Sequence, residues 1–177
     1  DEVGLGKTVQ AGLLLRQAWL AGRIKRALVL APKNVCKQWQ IELREKFNLN
    51  WPIYDGQKLT WYRSPARDHD FEKPVSREAW HREPFVIMSS HLARRQDRQR
   101  EILEAADPWD LVVLDEAHHA RTKGAGTPQA KGPNRLLQLM RSLRRRTDGL
   151  ILLTATPLQV HATELWLAFR TSSQKAS

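Results

Sequence analysis

Short, unbroken apolar runs alternate along the chain with longer stretches in which apolar residues return at helical spacing. The runs lie at residues 27–30, 85–88, 111–114 and 150–153. Runs this short, without polar alternation, are what strands of a parallel sheet require when both faces are covered. Residues 9–20 bring Leu13, Leu14, Ala18 and Leu20 round at helical period, and Gly22 closes that helix as a C-cap. Residues 35–47 set Trp39, Leu43 and Phe47 on one face. A charged helix is expected over residues 95–106. Asn134 is a good N-cap for a helix carrying Leu137, Met140 and Leu143. Residues 162–169 predict a last helix, and the glycines and prolines of residues 121–133 predict a loop.

Residues 48–84 are the least regular part. Trp51, Tyr54, Trp61, Tyr62 and Trp80 stand there among prolines and charges. The segment reads as a crossing connection with one short strand near Ile53. Its aromatics either pack beneath a long loop or stack on bases, and packing is the expectation. Strand alternating with helix predicts an α/β domain with a mostly parallel sheet flanked by helices. Such sheets bind ligands at the carboxyl ends of their strands.

Composition narrows the class. A chain of 177 residues, 41% hydrophobic and 27% charged, fits one globular domain and argues against disorder. Lysine and arginine outnumber aspartate and glutamate by 29 to 19, a formal charge of +10. That excess suits a polyanionic partner, and it also suits simple solubility. The lone cysteine, Cys36, excludes an internal disulfide and fits a reducing compartment. It reads as a packed side chain rather than a nucleophile. No apolar run approaches the ~20 residues of a membrane span. The acidic, glycine-rich start is no secretory signal, so a cytoplasmic location is expected.

Three constellations carry chemistry, and two of them directly follow predicted strands. Gly4-Leu5-Gly6-Lys7-Thr8 is the core of a phosphate-binding loop. Its glycines let backbone N–H groups turn toward phosphate oxygens, Lys7 neutralises them, and the Thr8 hydroxyl ligates Mg²⁺. The helix beginning at Thr8 adds its positive end. The general pattern has glycine five residues before Gly6, where this chain has Asp1. Asp115-Glu116-Ala117-His118 follows the 111–114 run. Asp115 there suits Mg²⁺ coordination, and Glu116 suits orienting and deprotonating water. Taken alone, that pair also fits a solvated turn. His118 and His119 lack cysteine partners at zinc spacing. Thr154-Ala155-Thr156-Pro157 follows the last run, where hydroxyls can sense the carboxylate motif or simply end a strand.

Together these strings resemble the Swi/Snf-type ATPases of helicase superfamily two. Asp1-Glu2-Val3-Gly4-Leu5-Gly6-Lys7-Thr8 resembles motif I of that family, where aspartate in first place is usual. Leu28-Val29-Leu30-Ala31-Pro32-Lys33, with Gln38-Trp39 and Glu42-Leu43 beyond, resembles motif Ia. Val86-Ile87-Met88-Ser89-Ser90-His91 resembles the Ib region, although Ser-Tyr is more usual there. Asp115-Glu116-Ala117-His118 is similar to motif II, a DEAH box. Leu153-Thr154-Ala155-Thr156-Pro157-Leu158-Gln159, followed by Glu164-Leu165-Trp166, resembles motif III. The variants are most similar to the bacterial RapA-like branch.

The resemblance implies the first RecA-like lobe over residues 1–169, with a frayed polar tail at 170–177. It implies ATP and Mg²⁺ as cofactors, with Lys7, Asp115 and Glu116 catalytic. It implies duplex DNA as the track, and a DNA-bound protein complex such as RNA polymerase as the partner remodelled. Pro32, Lys33, Ser89, Ser90 and His91 would touch the nucleic-acid backbone, and Thr154, Ala155 and Thr156 would couple hydrolysis to movement. Arg141 to Arg146 is expected to be a solvated helix end. In such motors a second RecA-like lobe supplies an arginine finger, which in related hydrolases contributes ~10³-fold or more. The chain opens inside motif I and ends soon after motif III. It is therefore expected to be a fragment, with weak nucleotide binding and negligible turnover alone. A strand-separating RNA or DNA helicase, a restriction or defence motor, and a non-catalytic nucleic-acid-binding module stay open beside the translocase.

Overall fold

The computed structural model describes residues 5–121 and 132–154. Gly4, Ala155, Thr156, most of the glycine-rich loop, the expected helix at 162–169 and the tail at 170–177 lie outside the described residues.

The predicted architecture is present. A seven-stranded sheet runs in the order β4-β3-β2-β5-β1-β6-β7. Its strands are β1 (Ala27–Ala31), β2 (Ile53–Tyr54), β3 (Lys58–Trp61), β4 (Phe71–Pro74), β5 (Phe85–Ser89), β6 (Leu111–Leu114) and β7 (Gly149–Leu152). β1 pairs in parallel with β5 on one side and β6 on the other, and β6 pairs in parallel with β7. Register aligns Ala27 with Phe85 and Leu111, so these strands start level and end level.

Alternate residues of β1 serve opposite faces of the sheet. Ala27, Val29 and Ala31 join one hydrophobic cluster, whereas Leu28 and Leu30 join the other. Helices α1 (Leu5–Leu20) and α2 (Cys36–Phe47) cover the first face, through Ala11 and Leu15 and through Trp39, Leu43 and Phe47. The second face takes α5 (Arg135–Arg144), through Leu136, Leu139, Met140 and Leu143, together with Trp80, Ile102 and Trp109. Burial on both faces is why the central strands read as unbroken apolar runs. At the lower rim the Asp110 carboxylate accepts the backbone N–H groups of Lys25 and Arg26, at 2.6 and 2.8 Å. That carboxylate ties the start of β6 to the start of β1.

Several expectations need correction. α1 begins at Leu5 rather than Thr8, which places Gly6 and Lys7 within its first turn. Its core-facing residues are Ala11 and Leu15; Leu13, Leu14 and Leu20 are exposed. Residues 48–84 hold three strands, not one. β3 and β4 form an antiparallel extension at the sheet edge. Every residue of β4 is exposed, so no apolar run marked it. The expected helix over 95–106 divides into α4 (Gln96–Arg100) and a wider π-helical turn (Glu101–Ala105), following a short α3 (Ser90–Ala93). The last strand stops at Leu152, one residue early.

Other expectations hold. Gly22 has φ +67°, and its N–H bonds the Trp19 carbonyl after the last turn of α1. The Asn134 side chain accepts the Leu137 N–H at 2.9 Å. Trp51, Tyr54 and Trp80 are buried; Tyr54 stacks on Trp80 with centroids 4.8 Å apart, so these aromatics pack rather than wait for bases. Cys36 is buried, and loss of solvent, reinforced by Asp115, pushes its thiol up to about 12. Among the described residues no helix is long and apolar enough to cross a membrane.

Candidate nucleotide site at the strand rim

Four parallel strands deliver the sequence-predicted residues to one rim in a fixed order. Ser89 ends β5, Pro32 and Lys33 follow β1, Asp115 and Glu116 follow β6, and Leu153 and Thr154 follow β7. The first two positions hold the residues expected to contact nucleic acid. The third holds those expected to act on nucleotide, and the fourth holds Thr154, expected to couple hydrolysis to movement. β1 lies between, so the turn after it adjoins both groups.

Backbone bonds fix the turn after β6. The Asp115 N–H donates to the Leu30 carbonyl at 2.8 Å, and the Ala117 N–H donates to the Leu153 carbonyl at 2.8 Å. Between them the chain turns sharply, with Glu116 at φ +51° and ψ +49°. This left-handed conformation costs a non-glycine residue about 1–2 kcal/mol. It aims the Glu116 side chain at the N-terminal turn of α1. There Lys7 Nζ lies 3.6 Å from Glu116 Oε1. The Lys7 ammonium nitrogen is itself buried and has no hydrogen-bond partner among the described residues. A buried cation left without hydrogen bonds is costly, and phosphate oxygens at this helix end would supply them. Thr8, beside it, is buried too, with 8% of its surface exposed.

Asp115 is held at both oxygens. Oδ1 accepts the Glu116 N–H at 2.8 Å, and Oδ2 accepts the Trp39 indole N–H at 2.9 Å. His118 Nδ1 lies 3.1 Å from Glu116 Oε2 and 3.4 Å from Thr154 Oγ1. Lys7, Glu116, His118 and Thr154 therefore form a chain of contacts from α1 to the end of β7. On the neighbouring face of His118, partial burial and the adjacent His118 hold the His119 imidazole below its usual range.

The residues expected to meet nucleic acid are placed differently. Lys33 is exposed in a short turn after β1, and His91 is exposed in α3. Ser89 caps α3, accepting the Leu92 N–H at 3.0 Å, and Ser90 is buried. Sequence reasoning singled out neither His118 as a link nor Trp39 as a partner of Asp115. The adjacency of His118 to the Asp-Glu pair was the available signal for the first. For the second there was none, because Trp39 and Asp115 are 76 positions apart.

A mostly parallel sheet covered by helices on both faces, with Lys7 at a helix end 3.6 Å from the strand-end carboxylate of Glu116, has the architecture of a RecA-like lobe. The family is equally plain: a model of the SNF2-related domain matches residues 1–171, and this chain belongs to that family. Solved structures are similar in fold. A Sulfolobus solfataricus SWI2/SNF2 ATPase core in complex with dsDNA superposes with a TM-score of 0.59 at 21% identity, over 94% of this chain and 29% of that one. The Sulfolobus solfataricus SWI2/SNF2 ATPase core domain gives 0.54 at 21% identity, over 87% and 25%. The chain thus spans less than a third of the length of these structures.

Proposed function

We propose that this chain is the ATP-binding motor lobe of a nucleic-acid-dependent ATPase, a duplex-DNA translocase that remodels protein–DNA complexes. The observation that carries the reading is the buried Lys7 ammonium at a helix end, with no hydrogen-bond partner among the described residues and 3.6 Å from Glu116. That arrangement fits a Mg²⁺–nucleotide. Lys7 binds the terminal phosphates, while Thr8 and Asp115 would hold the ion, which would offset charge on the phosphate oxygens. Gly4, Leu5 and Gly6 supply backbone N–H groups to the same oxygens. Once phosphate engages Lys7, Glu116 Oε1 is released from that contact to orient a water, while Oε2 stays beside His118. Attack on the terminal phosphorus forms one P–O bond as the bond to the departing diphosphate breaks, and Glu116 takes the water's proton.

Coupling to movement is assigned to Thr154, Ala155 and Thr156, with Thr154 joined to Glu116 through His118. Pro32, Lys33, Ser89, Ser90 and His91 are proposed for the duplex backbone, and the exposure of Lys33 and His91 supports those two most directly. The RapA-like motif variants support a DNA-bound complex such as RNA polymerase as the remodelled partner. The DNA-bound relative supports the duplex.

The test is ATP hydrolysis by the complete protein with duplex DNA, single-stranded DNA, RNA or no nucleic acid. Duplex DNA should stimulate most, and Glu116→Gln should lower the rate by at least ~10²-fold, the usual share of a general base. Preferential stimulation by RNA or single strands would replace the translocase with a strand-separating helicase. No hydrolysis under any condition would leave a binding module.

A further inference from the structure

Trp39 lies on the apolar face of α2 with Leu43 and Phe47, and only 1% of its surface is exposed. Its polar edge has a more particular placement. The indole N–H donates to Asp115 Oδ2 at 2.9 Å, across the interface between α2 and the end of β6. A buried indole needs an acceptor. This one has found the carboxylate proposed to hold the metal, not a backbone carbonyl.

We infer that Trp39 is a positioning residue that fixes the plane of the Asp115 carboxylate for a divalent cation. The inference rests on the nucleotide-site reading above. With the Glu116 N–H on Oδ1 and the indole on Oδ2, the carboxylate is gripped from both sides. Rotating it would break both bonds and strand a buried donor. An ionised carboxylate has about four lone-pair sites, so two hydrogen bonds leave roughly two for a cation. The chemistry of the donor matters as much as its geometry. A lysine or arginine here would neutralise Asp115 and compete with the metal, whereas a neutral N–H orients the group and leaves its charge available. Partners of this kind typically change metal affinity by about 10- to 100-fold.

Trp39→Phe keeps an aromatic ring and removes the N–H. An isosteric residue, β-(3-benzothienyl)alanine at position 39, removes the N–H with the bicyclic shape retained, which covers failure of the phenylalanine variant to fold. Trp51→Phe is the control for a buried tryptophan lost elsewhere on the same face. In the complete protein with ADP, Mn²⁺ binding is followed by electron paramagnetic resonance. Both changes at position 39 should raise the Mn²⁺ dissociation constant about 10-fold or more. The Mg²⁺ needed for half-maximal hydrolysis should rise in parallel, and metal-free ADP affinity should not move. Unchanged Mn²⁺ binding in the isosteric variant overturns the inference alone, as does an equal loss in Trp51→Phe. A wild-type protein that binds no Mn²⁺ with nucleotide overturns both the site reading and the inference.

Discussion

Single side chains at the strand rim are set by what surrounds them more than by their own chemistry. Cys36 shows this most simply. It sits one turn before Trp39, lodged beneath the carbonyls of Ala31 and Pro32, and the proximity of Asp115 adds to the cost of removing its proton. With the thiol moved from 9.0 to about 12, thiolate at pH 8 is reduced roughly a thousandfold. Iodoacetamide should therefore leave native Cys36 unmodified on a timescale that fully alkylates the unfolded chain, as mass spectrometry would show; labelling at equal rates would contradict the packing described. The sign of the pH effect follows. The folded state keeps the proton longer than the unfolded state, so this thiol's contribution is intact below pH 9.0 and is lost as pH rises toward about 12.

Between elements, α1 meets α2 closely at Gly12, which lies against the Phe47 ring. A Cβ built at Gly12 would stand 2.3 Å from the Phe47 ring. Gly12→Ala should thus destabilise by about 1–3 kcal/mol through overpacking, less roughly 1 kcal/mol of improved helix propensity. Adding Phe47→Leu should recover part of the loss, and denaturant unfolding of the single and double variants measures it; additive losses would place the helices farther apart than described. Sequence pattern located this joint only in part. Trp39, Leu43 and Phe47 read correctly as one face of α2 because helical period marks them. The facing stripe on α1 was misassigned: the small residues Ala11 and Gly12 make the close approach, while the larger Leu13 and Leu14 turn outward. The central strands were legible because burial on both faces leaves only apolar residues. β4 was not, since a short edge strand held by backbone bonds and by ion pairs such as Lys58–Glu72 has no apolar signature. The π-turn was hidden likewise: it shares its periodicity with the helix before it, and what distinguishes it is the Ala106 N–H reaching back to Glu101.

For the molecule as a whole, the level ends of β5, β1, β6 and β7 make one rim serve two proposed tasks. The candidate chemical residues were readable as motifs in order along the sequence, but their lateral order across the sheet comes from strand pairing, which motifs do not encode. The formal charge of +10 is spread over the chain, so only part of it can face a duplex. If the turn after β1 contacts phosphate, Lys33→Ala should weaken duplex binding similarly for all sequences. It should also reduce the slope of log affinity against log salt by about 1. An unaltered slope would assign Lys33 to bulk solubility.

The left-handed turn at Glu116 sets stability against chemistry. Asparagine accepts that backbone at little cost, whereas glutamate does not. A laboratory selection for heat resistance alone would therefore tend to discard the very carboxylate that the proposed hydrolysis requires, and an apparent improvement at residue 116 would be a warning of lost turnover. Any programme of directed evolution on this lobe should hold that codon fixed and seek its gains on the opposite rim.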